Sequence, residues 1–389
     1  MLSSRVQAAD RAFAAVRRFY LESRYADARF GPDVCDFTFG NPHEMPLPGL
    51  VSAIRERAIP HDENWFAYKS SEEEPQAFLA ERLRAELSLP FEPEDVALTS
   101  GAFAAISVAF HLVLDVGDEA VISEPAWFCY EPTLLAAGAV PRKVSLRGDR
   151  FDLDLAAIEA AIGPRTRLVI VNTPHNPTGR IYDRESLTRL AELLDSASGR
   201  IGHRIYLLSD EPYRRLRFDG RGFVSPAGIY PWTFISYSYG KVLLAPGQRL
   251  GYLAISPSMP ASERKAHQDA LFSAQMALGW CFPNAVMQYS VPDLEHLSID
   301  RDALARRRDA LMGALGAAGY STLPPEGTFY LWSRWPGDPE RLFDALADRN
   351  VFVMPGSLLG AREYFRISLT ASDRMVERAL PHFAAVVAR

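Results

Sequence analysis

Residues 167–213 read RLVIVNTPHNPTGRIYDRESLTRLAELLDSASGRIGHRIYLLSDEPY. The apolar run RLVIVNTP meets the turn HNPTG, and a helical stretch follows, opened by Asp183, whose carboxylate suits a helix start. IYLLSD is then a second short apolar run, so the segment has the form strand, turn, helix, strand. The same rhythm extends outward from about residue 95 to 256. DVALT is followed by SGAFAAISVAFHLVL, AVIS by EPAWFCY and a helix ending near AAGAV, and TFISYSY and LGYLAIS are further short strands. Strands alternating with helices imply an α/β fold, with a mostly parallel sheet covered by helices on both faces. Ligands of such sheets lie beyond the carboxyl ends of the strands.

After about residue 286 the pattern changes to a long helical stretch from Arg301 to Ala318, then TFYLW, another helix, VFVMP and FRISL. This reads as a smaller α+β domain. The Pro/Gly-rich segment DFTFGNPHEMPLP is an extended connection that packs with it. The expected organisation is an amino-terminal segment (1–48), a large ligand-binding domain (49–285) and a small carboxyl-terminal domain (286–389). RAFAAVRRFY, residues 11–20, has the spacing of an amphipathic helix packed on the body. Two charge clusters, Glu72 to Glu74 and Arg306 to Arg308, read as solvated faces.

The 389 residues are 48% hydrophobic and 23% charged, the balance of a globular protein with a large core. Lys+Arg of 42 against Asp+Glu of 48 gives a net charge of −6, so no global positive field attracts nucleic acid or an anionic membrane. Anionic ligands must be met by local arginines. Cys35, Cys129 and Cys281 are far apart and form no CxxC pair, which argues against a disulfide framework or a structural zinc site. No secretory h-region and no membrane-spanning run of about 18 apolar residues is evident. The expectation is a cytoplasmic protein with no metal, no nucleic-acid partner and no membrane association.

GxGxxG, GxxxxGK[ST], GxSxG and HExxH are all missing, so dinucleotide, P-loop, serine-hydrolase and zincin chemistries lose their best support. What remains is a series of strand-end residues. Asp210 follows one strand and Tyr213 comes three residues later; Lys241 follows the next strand and Arg249 comes eight residues beyond it. Singly these are ordinary surface or capping residues. In this order they are what a pyridoxal 5'-phosphate site needs. A lysine amine forms a Schiff base with the aldehyde, a carboxylate keeps the pyridine nitrogen protonated, and an arginine offers a forked donor to the phosphate.

The chain resembles fold-type I pyridoxal phosphate enzymes of the class I/II aminotransferase family, from roughly Asp36 to Ser372. TSGA, EPAW, NTPHNPTG, SDEPY, GKVLLAPGQRLGY, PEGTFYLW, VMPGS and FRISL stand in the family's order. The resemblance makes Lys241 the Schiff-base lysine and Asp210 the partner of the pyridine nitrogen. It has Asn176 and Tyr213 donate to the phenolic oxygen of the ring. Trp127 would stack on the ring face, although a tryptophan there also reads as simple core. The phosphate would lie at the helix start after DVALT, on the N–H groups of Gly101 and Ala102, with Ser100, Ser238 and Arg249 completing the cup. Ser100 also reads as a plain N-cap. Gly240 stands where the family often has a serine just before the lysine.

The resemblance further assigns the substrate carboxylate to Arg366 in FRISL, with Gly40 and Asn176 beside it. Tyr68 would reach the neighbouring phosphate across a subunit boundary, which implies a homodimer with shared active sites. The implied activity is ping-pong transamination between an amino acid and a 2-oxo acid. Lyases, decarboxylases, racemases and oxidases use the same lysine and carboxylate. A ligand-binding regulator with this fold is the remote alternative, and only about 35 residues precede the resemblance, too few for a DNA-binding unit. LFSAQMALGWCFPN, residues 271–284, has no charged residue and offers Phe272, Met276, Trp280 and Phe282 to a neighbouring substrate, so apolar or aromatic side chains are expected to fit. Arg24 or Arg29 folding over the site would instead supply a cation for an acidic side chain.

Overall fold

The computed structural model describes residues 2–279, 281–335 and 337–387. Trp280 lies outside the described residues. Twelve strands occur among them: β1 (Cys35–Phe37), β2 (Val96–Thr99), β3 (Glu119–Glu124), β4 (Val140–Ser145), β5 (Thr166–Asn172), β6 (Tyr206–Asp210), β7 (Thr233–Ser238), β8 (Gly251–Ile255), β9 (Ser321–Leu323), β10 (Tyr330–Arg334), β11 (Val351–Pro355) and β12 (Tyr364–Ser368). The larger sheet has the order β2-β8-β7-β6-β5-β3-β4. Only β8 runs antiparallel to its neighbours; the other pairs are parallel.

Successive side chains of a strand point to opposite faces, and the core follows this rule. Phe234, Leu253 and Ile255 join one apolar cluster, whereas Ile235, Tyr237, Tyr252 and Ala254 join the other. Both faces are therefore covered, which explains why these strands read as continuous apolar runs. Asp183 caps the helix Arg184–Ile201, its Oδ1 accepting from the Ser186 N–H at 2.8 Å. β4 escaped the sequence reading because VPRKVS contains a proline and two cations. It is one of the two edge strands, where an absent N–H and exposed charges are tolerated.

The smaller sheet has the order β1-β11-β12-β10-β9. β1 pairs in parallel with β11, so the early extended segment and the carboxyl-terminal part of the chain share one sheet. The amino-terminal helix is longer than its periodic core and spans Ser4–Glu22. One expectation fails. Arg307 and Arg308 in the helix Arg301–Ala317 are buried rather than solvated. Arg307 donates to Glu44 and Asp373, each at 2.5 Å, and Arg308 donates to Asp219 at 2.8 Å. Carboxylates from three other segments neutralise them, and a forked guanidinium can be buried when so paired. Among the described residues no helix is long and apolar enough to cross a membrane.

Candidate active site

In-register pairing sets the ends of the central strands in a row. Asn172 at the end of β5 is opposite Asp210 at the end of β6, and Asp210 is opposite Ser236 of β7. A cleft opens beyond these ends. It is lined by Lys241, Asp210, Tyr213, Asn176, Ser238 and Arg249, together with Trp127, Ala102, Gly40 and Arg366. The parallel sheet gathers the residues from Ala102 to Arg249 at one edge, and the smaller sheet brings Gly40, after β1, and Arg366, on β12, to the same cleft.

Asp210 is buried. Its Oδ1 accepts from Ser236 Oγ at 2.6 Å, and its Oδ2 accepts from the Tyr130 hydroxyl and from Asn172 Nδ2 at 3.3 Å. Burial raises its proton affinity above the usual carboxylate range, against the opposing pull of Ser236, Tyr130 and Lys241. Lys241 lies in the short helix Tyr239–Val242 directly after β7, with its amine 5.8 Å from the centre of the Tyr213 ring.

Arg366 on β12 is also buried, at 2% exposure, and its partners are neutral. Nη1 donates to Asn176 Oδ1 and Nη2 to the Thr38 carbonyl, both at 2.8 Å, and Nε has no partner. Arginine has no acceptor, so this contact fixes the Asn176 amide with its Nδ2 directed away from Arg366. The guanidinium sits 3.9 Å above the centre of the Tyr330 ring. Burial would raise the Tyr330 phenol, but Arg366, Lys241, Tyr213 and the Gly40 backbone outweigh it and hold the group below its ordinary value. Tyr213 is pushed up by burial and by its contact with Tyr330. Gly40 is required by close approach: a Cβ there would stand 2.5 Å from the Phe329 ring and 2.9 Å from the Tyr330 hydroxyl.

At the opposite side, Gly101 precedes the helix Ala102–Val113 with a left-handed φ of +83°. Its N–H donates to the Thr99 carbonyl at 2.7 Å, which differs from the expectation that it faces a ligand. The first helical bonds return to Gly101 from Ala104 and Ala105, leaving the N–H groups of Ala102 and Phe103 outside the ladder. A Cβ on Gly101 would stand 2.9 Å from Arg249 Nη2, so the guanidinium lies against that helix start. Ser238 is buried at the end of β7 and turns into the same corner of the cleft.

Three expected residues do not line the cleft: Ser100, Tyr68 and Gly101, whose N–H is taken by the Thr99 carbonyl. The Ser100 hydroxyl donates to the Phe282 carbonyl at 3.0 Å, and Tyr68 is fully exposed. Trp127 lines the cleft edge-on to Phe103 at 5.2 Å and to Tyr130 at 5.3 Å. Tyr130, Asn172, Ser236 and Tyr330 were not foreseen. Asn172 and Tyr330 carried a signal, standing inside the motifs NTPHNPTG and PEGTFYLW.

A buried carboxylate and a buried guanidinium, neither within 4 Å of an oppositely charged side chain among the described residues, face one cleft beside a lysine amine. The family described as "Aminotransferase class I and II" matches residues 32–383. The chain belongs to that family. It is 32% identical to the aspartate/prephenate aminotransferase of Thermus thermophilus, across 100% of this chain and 99% of that one. It is 30% identical to the methionine aminotransferase of Escherichia coli, across 79% of this chain and 72% of that one. An aminotransferase structure from Eubacterium rectale superposes with a TM-score of 0.85 at 27% identity, covering 99% of this chain and 95% of the other. The fold and the activity class of this aminotransferase therefore agree with what its sequence resembles.

Proposed function

We propose that the protein uses pyridoxal 5'-phosphate to move an amino group between an L-amino acid and a 2-oxo acid in a ping-pong cycle, working as a homodimer. The observation that carries the reading is the pair of buried, uncompensated charges flanking Lys241. An isolated buried ion costs several kcal/mol, so each is a standing demand for a ligand charge. Asp210 fits a protonated ring nitrogen, and Arg366, with Nε unpartnered, fits a carboxylate. The corner made by Arg249, Ser238 and the Ala102 and Phe103 N–H groups is rich in donors and holds no carboxylate, which fits a phosphate. The residues present therefore suit the cofactor.

When bound, the cofactor supplies an electron sink for the pair left at Cα after loss of its proton. Lys241 would carry the cofactor, and its Nζ would serve as the base for the Cα proton. Arg366 grips the substrate carboxylate as a fork and so orients the Cα–H bond toward that amine. Asp210 keeps its ligand protonated because Tyr130 and Ser236 stabilise the carboxylate and hold it in place. Asn176, fixed by Arg366, and Tyr213 would donate to the ring oxygen. Phe39, Trp127 and Phe128 exclude water above this arrangement.

A two-fold assembly is supported by the exposure of Tyr68, Phe272 (55%) and Met276 (56%) on one chain, since large apolar groups are commonly covered at interfaces. The two sheets fit a division of the chain at about residues 48 and 285. The test is to mix the holoenzyme with common amino acids and follow conversion of the lysine-bound cofactor to its amine form by absorption, identifying the oxo-acid product. Sedimentation of the active species checks the dimer. Conversion with oxo-acid release by a dimer is expected; a different product, such as a released amine or an alkene acid, refutes transamination, and an active monomer refutes the shared site.

A further inference from the structure

We infer that the amino donor's side chain lies against an aromatic wall of this cleft, so that the preferred donors are L-amino acids with uncharged apolar or aromatic side chains. The inference rests on the aminotransferase reading above.

Three cations line the cleft, and each has a task. Lys241 carries the cofactor, Arg249 lies against the helix start, and Arg366 answers the α-carboxylate. No fourth cation among the described residues lines it. The arginines of the amino-terminal segment are engaged elsewhere. Arg24 pairs with Asp348 at 2.9 Å, and Arg29 lies over the Tyr20 ring at 4.1 Å while donating to the Tyr20 carbonyl at 3.2 Å.

The wall itself is continuous. Phe103 meets Trp127 at 5.2 Å, Trp127 meets Phe128 at 6.3 Å, and Phe128 meets Phe39 edge-on at 6.5 Å. It runs from the helix start to Phe39, next to Gly40 at the Arg366 end; Trp127 would take the cofactor ring, and the Phe128–Phe39 end is left for the donor's side chain. Phe39 is held from behind by the amino-terminal helix, through Tyr20 edge-on at 5.5 Å, and by the short helix Arg24–Ala28 that follows it, through Tyr25 at 5.9 Å. A carboxylate pressed here loses hydration and gains no cation from this chain, whereas an aromatic group gains edge-to-face contact and an aliphatic one apolar burial. The amino-terminal helix thereby acquires a role in specificity, because it fixes the ring that faces the donor.

The experiment compares kcat/KM for L-phenylalanine and L-aspartate with one fixed 2-oxo acid acceptor. In parallel, calorimetry on the holoenzyme measures binding of 3-phenylpropanoate and succinate, which lack an amine and do not react. Phenylalanine is expected to exceed aspartate by tenfold or more, and 3-phenylpropanoate to bind at least tenfold tighter than succinate. Either ratio below tenfold overturns the inference. If no amino acid is converted while 3-phenylpropanoate still binds tenfold tighter, the wall stands and the aminotransferase reading fails. Phe39→Leu, a volume-tolerant change, is expected to narrow the phenylalanine preference at least threefold; an unchanged ratio removes Phe39 from the wall.

Discussion

Adding one methyl group at residue 40 probes the carboxylate end of the cleft without touching any charged side chain. In Gly40→Ala the new Cβ would stand 2.5 Å from Phe329 Cε2 and 2.9 Å from the Tyr330 hydroxyl. Reaching an ordinary contact of 3.4 Å requires the Phe329 ring to retreat by about 0.9 Å. Phe329 is fully buried, so the retreat is resisted, and overpacking of this kind costs about 1–3 kcal/mol. Tyr330 must move as well, and it carries the Arg366 guanidinium 3.9 Å from its ring centre. A displaced guanidinium loses the alignment of its 2.8 Å bonds to Asn176 and Thr38 and of the fork it offers the substrate. Losing one charge-assisted hydrogen bond costs about 1.5–3 kcal/mol, or roughly ten- to hundredfold in KM for the amino donor. Cofactor retention should be unchanged, because Asp210, Ser238 and Arg249 do not touch residue 40. The assay pairs steady-state KM with a spectral titration of the cofactor and a denaturation curve. A folded, destabilised variant whose KM stays within twofold of wild type would refute the chain from Gly40 through Tyr330 to Arg366.

Asp210→Asn keeps partners for Tyr130 and Ser236 but removes the charge, so it should still bind cofactor while kcat falls about 100-fold or more; near-normal turnover would mean the ring nitrogen has another partner. Arg366→Ala should raise KM for the donor far more than it weakens cofactor retention, and Arg249→Ala the reverse, whereas identical kinetic and retention profiles would show that one is misassigned. His175 is buried and pushed down to about 3 by burial. Its folded-state affinity for protons is below the unfolded value of about 6.5, so its stabilisation is complete above that pH and is lost as pH falls from about 6.5 toward 3, at about 1.4 kcal/mol per pH unit. Chemical unfolding at pH 7, 6 and 5 should therefore show His175→Gln losing stability less steeply than wild type; parallel curves would mean the histidine is not held neutral.

What the sequence made legible were residues tied to a strand end by local order. Asp210 and Ser238 end apolar runs and Lys241 comes three residues after the second, so the parallel sheet gathers them, while Arg249 stands in the turn just before β8. What it hid were partners that meet only through tertiary packing. Tyr130 reaches Asp210 from 80 positions away, and Thr38 receives Arg366 from 328. No periodicity or spacing encodes such pairs. β4 was hidden by its edge position, and the buried Arg307 and Arg308 by carboxylates from distant segments. Ser100 was misleading for the opposite reason: its place beside a helix start suggested a ligand contact, but the Phe282 carbonyl claims its hydroxyl. Gly40 was singled out for the substrate's sake, and the structure gives it a nearer cause in Phe329 and Tyr330.

The central claim is that Lys241 carries the cofactor, and the chain makes it easy to test. There are only four lysines, Lys69, Lys143, Lys241 and Lys265. Three are engaged elsewhere: Lys69 with Glu72 and Tyr289, Lys143 with Glu124 and Glu131, and Lys265 with Asp269. Borohydride reduction of the holoenzyme followed by peptide mapping should find the cofactor on Lys241 alone. Recovery of the label on any of the other three lysines, or a Lys241→Ala protein that retains the lysine-bound absorption and turnover, would contradict the account.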